Sequence, residues 1–121
     1  MQKDDRDILD VLKFELRFLE DGGYGRSVRT PWKPALTFED SPTCLNFGDP
    51  MRSRPCVDCL LMRFVPRERR LASAPCRFIR LNDAGQTIHA LYRWGTQEEL
   101  EEALGSWLRR TIKELDEERR L

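Results

Sequence analysis

The stretch RPCVDCLL, residues 54–61, sets Cys56 and Cys59 two residues apart, and two further cysteines, Cys44 and Cys76, flank the pair. Thiolates are soft metal ligands, and a C-x-x-C knuckle presents two of them from one tight turn. Eleven residues separate Cys44 from Cys56, and sixteen separate Cys59 from Cys76. Tetrahedral zinc takes four such ligands, the outer two from any distance at which the fold returns them. The chain has four cysteines and none is left over. Cys44, Cys56, Cys59 and Cys76 are therefore the expected ligands of one structural zinc ion.

Three other readings use the same residues. An iron–sulfur cluster also takes four thiolates, but these spacings match neither common ferredoxin pattern. A redox dithiol would use Cys56 and Cys59, yet the βαβ setting of such motifs is missing. Free cysteine is also an ordinary small core residue. His89, the one histidine, can replace a cysteine in a metal site, although the pattern around it reads as plain strand.

No catalytic set accompanies the cysteines. GGYGRS, residues 22–27, has glycines and a hydroxyl but lacks the Walker lysine, and it follows a helix rather than a strand. Glu39 and Asp40 stand side by side near Cys44 with no base or third partner in reach, so an acidic turn before Pro42 is the simpler reading. A catalytic zinc keeps an open position, whereas four thiolates close the shell. The sequence therefore predicts no enzyme. RFVPRERR, residues 63–70, concentrates Arg63, Arg67, Arg69 and Arg70 just past the knuckle, as candidate contacts for an anion or a partner. Tyr24, Trp32, Phe38, Phe47 and Phe64 lie in the same basic segment, a mixture that can clamp phosphates and stack bases. No known nucleic-acid-binding motif matches, which leaves such binding as an alternative.

The elements that must position these residues are unevenly marked. Residues 5–20 read as a helix: Ile8, Leu12, Leu16 and Leu19 recur at spacings of four and three, Asp4, Asp5 and Asp7 favour its start, and Gly22 and Gly23 stop it. Between Gly22 and Pro75 periodicity fades, and all seven prolines fall from Pro31 to Pro75. Proline removes backbone donors, so this segment is neither long helix nor central strand. Short strands near residues 35–39 and 60–65 are expected, the latter equally readable as a helical turn. Residues 76–94 read as a β-hairpin, because CRFIRL and TIHALYRW are rich in β-branched and aromatic residues and NDAGQ between them supplies turn chemistry. Residues 97–119 read as a long helix of about 35 Å, opened by a Thr96–Glu99 capping box. Leu100, Leu104, Trp107, Leu108 and Leu115 fall on one stripe of it. Its far end is expected to project or to pair with another subunit.

The resulting expectation is an α+β fold in a single domain, residues 1–121. An N-terminal helix and a long C-terminal helix pack with a hairpin and an irregular proline-rich four-cysteine loop region. The chain is 35% charged and formally neutral, which argues against a generic polyanion or membrane binder. The charge is nonetheless unevenly spread: the two ends, residues 1–21 and 81–121, are each net −3, and the middle is +6. The opening MQKDDRDILD lacks the basic and apolar regions of a signal peptide, and no apolar run approaches 18 residues. The cytoplasm is the expected compartment, where thiols stay reduced. The function expected is that of a small zinc-stabilised interaction protein, an adaptor or accessory subunit. It would bind a protein partner or a second copy through apolar surface left near Phe18 or Trp107. A redox or iron–sulfur sensor or electron-transfer partner, using the same four cysteines, is the alternative.

Overall fold

A Thr96 hydroxyl accepts from the Glu99 amide at 3.0 Å, and the Glu99 carboxylate accepts from the Thr96 amide at 2.8 Å. This reciprocal cap satisfies two of the donors that a helix start leaves unpaired, and it opens the longest element of the chain. The computed structural model describes residues 4–25 and 36–120. Among them are three α-helices: α1 (Ile8–Glu20), α2 (Ile88–Trp94) and α3 (Gln97–Arg119). The Asp7 side chain caps α1 by accepting from the Asp10 amide. Gly22, at φ +79°, takes the left-handed conformation that ends it. Both helices foreseen from the sequence are therefore present, at nearly the expected limits.

α1 and α3 run antiparallel. Asp7 at the start of α1 pairs with Arg119 at the end of α3, while Leu19 near the end of α1 lies against Gly105. The far end of α3 is thus held against α1, not left to project. Leu12, Leu104 and Leu108 are fully buried between the two helices and their neighbours. Each such leucine contributes about 1.5–3 kcal/mol by leaving water. Trp107 joins the middle segment to α3: Phe64 meets its ring edge-on at 5.1 Å and Phe38 at 6.3 Å. The apolar patch expected near Trp107 is consumed in this contact, since the ring is 5% exposed. Phe18 is half-buried and packs edge-on against Tyr24.

The hairpin expected over residues 76–94 is overturned, and the α+β class with it. The described residues are mostly helical and contain no strand; one isolated antiparallel bridge, Arg80 to Thr87, stands where the hairpin was expected. The turn itself was legible. The Gly85 amide donates to the Asn82 carbonyl, the Gln86 amide to Asn82 Oδ1, and the Leu81 amide to the Gln86 carbonyl at 2.8 Å. Beyond the turn the chain is helical, because the Thr87 hydroxyl accepts from the Ala90 amide, and Ile88 and Leu91, three residues apart, both bury. Enrichment in β-branched and aromatic residues marks a half-buried surface, and a short capped helix meets that requirement too. Ahead of the turn, Pro75 opens a 3-10 turn, Pro75–Phe78.

The segment between the helices is a chain of turns. Cys56–Asp58, Leu60–Phe64 and Arg67–Arg69 are each 3-10. The strand expected near residues 60–65 is therefore a helical turn. Of the strand expected at 35–39, residue 35 lies outside the described residues and the rest is turn, with Phe38 at φ +65°. Trp32 also lies outside them. No helix among the described residues is long and apolar enough to cross a membrane.

Candidate metal centre

Each cysteine is carried by a tight turn. The Cys59 amide donates to the Cys56 carbonyl at 3.0 Å, which closes the knuckle. Cys44 donates its amide to Ser41 and accepts from Phe47. Cys76 lies in the 3-10 turn opened by Pro75. All four thiols are free, and all four line one cavity of about 30 Å³, with Phe38, Leu61, Met62 and Pro75 among its walls. The structure thus gathers the four predicted ligands at one place. They do not stand as a ready-made coordination sphere: no group of three or more His, Cys, Asp or Glu side chains among the described residues is arranged to hold a metal ion.

Polar clamps hold the ligand-bearing turns together. Asp4 and Arg6, before α1, bridge two of them. The Asp4 amide donates to the Asp58 carbonyl inside the knuckle, and Asp4 Oδ2 accepts from the Leu60 amide just after it. Arg6 donates to both Asp4 oxygens, at 2.9 and 2.7 Å, and to the Thr43 carbonyl at 2.8 Å, next to Cys44. Asn46 pairs with the backbone of Arg54 through both ends of its amide, closing the loop from Cys44 to Cys56. Arg77 grips Glu39 with two hydrogen bonds, 2.7 and 3.1 Å, beside Cys76. Glu39 is thus structural, and Asp40 accepts from the Leu36 amide, as an acidic turn requires.

The electrostatics disfavour bare thiolates. Burial pushes the Cys59 thiol up to about 11 and the Cys76 thiol well above its ordinary value. A cation at the cavity would reverse that preference, because metal binding and thiol deprotonation are linked. Arg52 supplies positive charge from the protein. Its backbone sits at φ +47°, sparsely populated for a residue with a Cβ, and its guanidinium reaches Cys56 Sγ at 3.9 Å. In the knuckle itself, Asp58 Oδ2 is buried without a hydrogen-bond partner among the described residues.

A fourth anchor escapes the sequence reading. Glu15 of α1 is fully buried. Its Oε1 accepts from Ser41 Oγ at 2.7 Å and Thr43 Oγ1 at 2.5 Å, and its Oε2 accepts from the Tyr24 hydroxyl. Tyr24 in turn accepts from the Phe38 amide at 2.7 Å. This hub fixes the turns that lead into Cys44 to the inner face of α1. The available signal was a carboxylate in the apolar register, three residues after Leu12 and four before Leu19.

Three of the four candidate arginines have contacts within the chain. Arg70 donates to the Val65 carbonyl, Arg63 lies over Phe64, and Arg69 lies over Phe78. His89 is on α2, not on a strand, and does not line the cysteine cavity. In comparisons with protein-family models, with curated proteins and with solved structures, nothing matches the chain.

Proposed function

We propose that the chain is a non-enzymatic interaction protein, an adaptor or accessory subunit, whose middle segment is ordered by one zinc ion held by Cys44, Cys56, Cys59 and Cys76. The observation that carries this reading is the convergence of all four cysteines on one cavity of about 30 Å³. A space of that size has room for a single ion or a water. Zinc binding would draw the turns inward until the thiolates stand at the bonding distance of about 2.3 Å. The buried, unpartnered Asp58 oxygen in the knuckle adds a negative atom that a nearby cation would offset. Four thiolates would fill the shell and leave no position for substrate, which is why the role is structural and binding-related. A reducing compartment such as the cytoplasm keeps the thiols available.

Elemental analysis of protein purified without added metal tests this, read together with thiol titration of the native chain. One zinc per chain and four thiols protected until a chelator is added is the expected result. Metal-free protein with four freely titrating thiols would overturn it. Iron with visible charge-transfer absorption would move the site to the cluster reading.

A further inference from the structure

Phe78, His89 and Trp94 form a row of rings where the turn after Cys76 meets α2. The Phe78 and His89 centroids are 5.2 Å apart, and those of His89 and Trp94 are 6.3 Å apart. The Arg69 guanidinium lies over Phe78 at 4.8 Å, and that of Arg93 over Trp94 at 5.2 Å. Beside the first two rings runs a groove of about 530 Å³, lined also by Arg69 and Arg80. Trp94 is 75% exposed, so the indole does little for the core. Among the described residues lining the groove, Glu68 is the one carboxylate. It meets Arg80 at 3.8 Å with both side chains largely exposed. Such a pair is weak and open to exchange for a better anion.

We propose that this face binds single-stranded nucleic acid, with unstacked bases on the Trp94 and His89 rings and phosphates on Arg69, Arg80 and Arg93. Neighbouring rings, two of them with a guanidinium over the ring, are what a sequence-tolerant single-strand site requires. An acidic peptide would use the arginines and leave the indole without a role. A duplex keeps its bases stacked on each other and cannot reach the rings. The chain is neutral overall, so attraction is local and the number of phosphates engaged is small. The site does not depend on the metal reading, because none of these five residues lines the cysteine cavity.

Fluorescence anisotropy with labelled twelve-nucleotide oligouridine and oligothymidine tests the proposal on the full chain. Binding is expected at low salt, falling with a log–log salt slope of about −2, as roughly three single-strand phosphate contacts give. A duplex of equal length should bind at least about tenfold more weakly, and Trp94→Ala should cost about tenfold, in the range for one lost stacking partner. Arg69→Glu with Arg80→Glu should abolish binding, while Arg120→Glu, at the other end of α3, should leave it intact. Unchanged thermal unfolding of Trp94→Ala, an exposed position, separates lost contact from lost fold. Failure of both oligonucleotides to bind would overturn the proposal, as would equal binding by Trp94→Ala. Competition by polyglutamate as strong as by the oligonucleotide would instead assign the face to an acidic protein partner.

Discussion

The Glu15 carboxylate and the Thr43 hydroxyl meet at 2.5 Å inside the core, one residue before Cys44. No cation among its hydrogen-bond partners balances that carboxylate; three hydroxyls donate to it instead. Burial raises its pKa above the ordinary 4.5, against the opposing effect of those hydrogen bonds. The folded chain therefore keeps the Glu15 proton at pH values where the unfolded chain has released it. The stabilising contribution is full below about 4.5 and is lost as pH rises through the folded-state value. The stability difference between wild type and Glu15→Gln, followed by denaturant unfolding against pH, isolates this effect, because other titrations cancel. It should shrink as pH rises above about 4.5. A difference that is flat in pH would show that folding does not shift the Glu15 pKa. Glu15→Ala should cost about 3 kcal/mol, since it strands buried hydroxyls and opens a cavity.

Asp4 behaves with the opposite sign. Burial works to raise its pKa, but hydrogen bonds from Arg6 and from the Leu60 and Arg6 amides outweigh it, and the net shift is downward. Its contribution is present above the unfolded value near 3.8 and is lost as pH falls through the lower folded value. The Asp4 side chain is 1% exposed, so Asp4→Ala should cost about 2 kcal/mol. It should also release the knuckle from the Cys44 turn. Zinc-loaded Asp4→Ala is expected to yield its metal to a chelator several-fold faster than wild type. Arg6→Lys should fall between them, because an ammonium cannot span two carboxylate oxygens and a carbonyl as the planar fork does. Identical release rates for all three chains would show that Asp4 and Arg6 do not hold the site together.

What the sequence disclosed tracks the range of the interactions involved. Thr96 and Glu99 signal a helix start by contacts three residues apart, and Asp7 and Gly22 bracket α1 in the same local way. Residues 87–94 misled because Ile88, Leu91 and Tyr92 satisfy strand preference and a short helical face equally well, and the Thr87 cap was the deciding detail. The cysteines suggested a metal site by type and number. Their convergence rests on contacts that composition cannot show, such as Asp4 with Leu60 across 56 residues and Arg77 with Glu39 across 38. Glu15 was visible as a charge in an apolar register, but its partners Ser41 and Thr43 lie 26 and 28 residues away.

Removing the metal should be felt most where hydrogen bonding is thinnest. Residues 36–75 are turns whose backbone–backbone bonds are almost all short-range, with a few side-chain clamps to the rest of the chain, so in the zinc-bound chain they should open to proteases once a ligand is lost. Cys56→Ser and chelated wild type are expected to be cut early within this segment, and a fragment containing α3 should persist, held by its cap and its face against α1. Limited proteolysis with mass spectrometry of the fragments reads this. The same fragments at the same rate from wild type, chelated wild type and Cys56→Ser would make the metal irrelevant to the fold. The C-x-x-C pair would then be better read as a redox dithiol.

Gly105 decides between two opposing effects in α3. Glycine in a helix interior costs roughly 1 kcal/mol relative to alanine, because the unfolded chain has more freedom to lose. Against that gain stands the close packing of α1, which the sequence alone left undetermined. A Cβ at Gly105 would meet the Arg109 guanidinium nitrogens at 3.3 and 3.4 Å and Leu19 Cδ2 at 3.5 Å. The tightest of these neighbours is the end of a long side chain that is 58% exposed, and it can swing away at little cost. Its ion pair with Glu20, at 3.6 Å and half-exposed, contributes little and is no obstacle. The leucine contact is ordinary van der Waals distance. Gly105→Ala should therefore stabilise the chain by up to about 1 kcal/mol, seen as a higher denaturant midpoint with an unchanged slope. Gly105→Leu should destabilise it by about 2 kcal/mol, because a branched chain cannot fit between Leu19 and Arg109 without moving α1. A loss of stability in Gly105→Ala would mean that α1 and α3 approach more closely than these contacts allow.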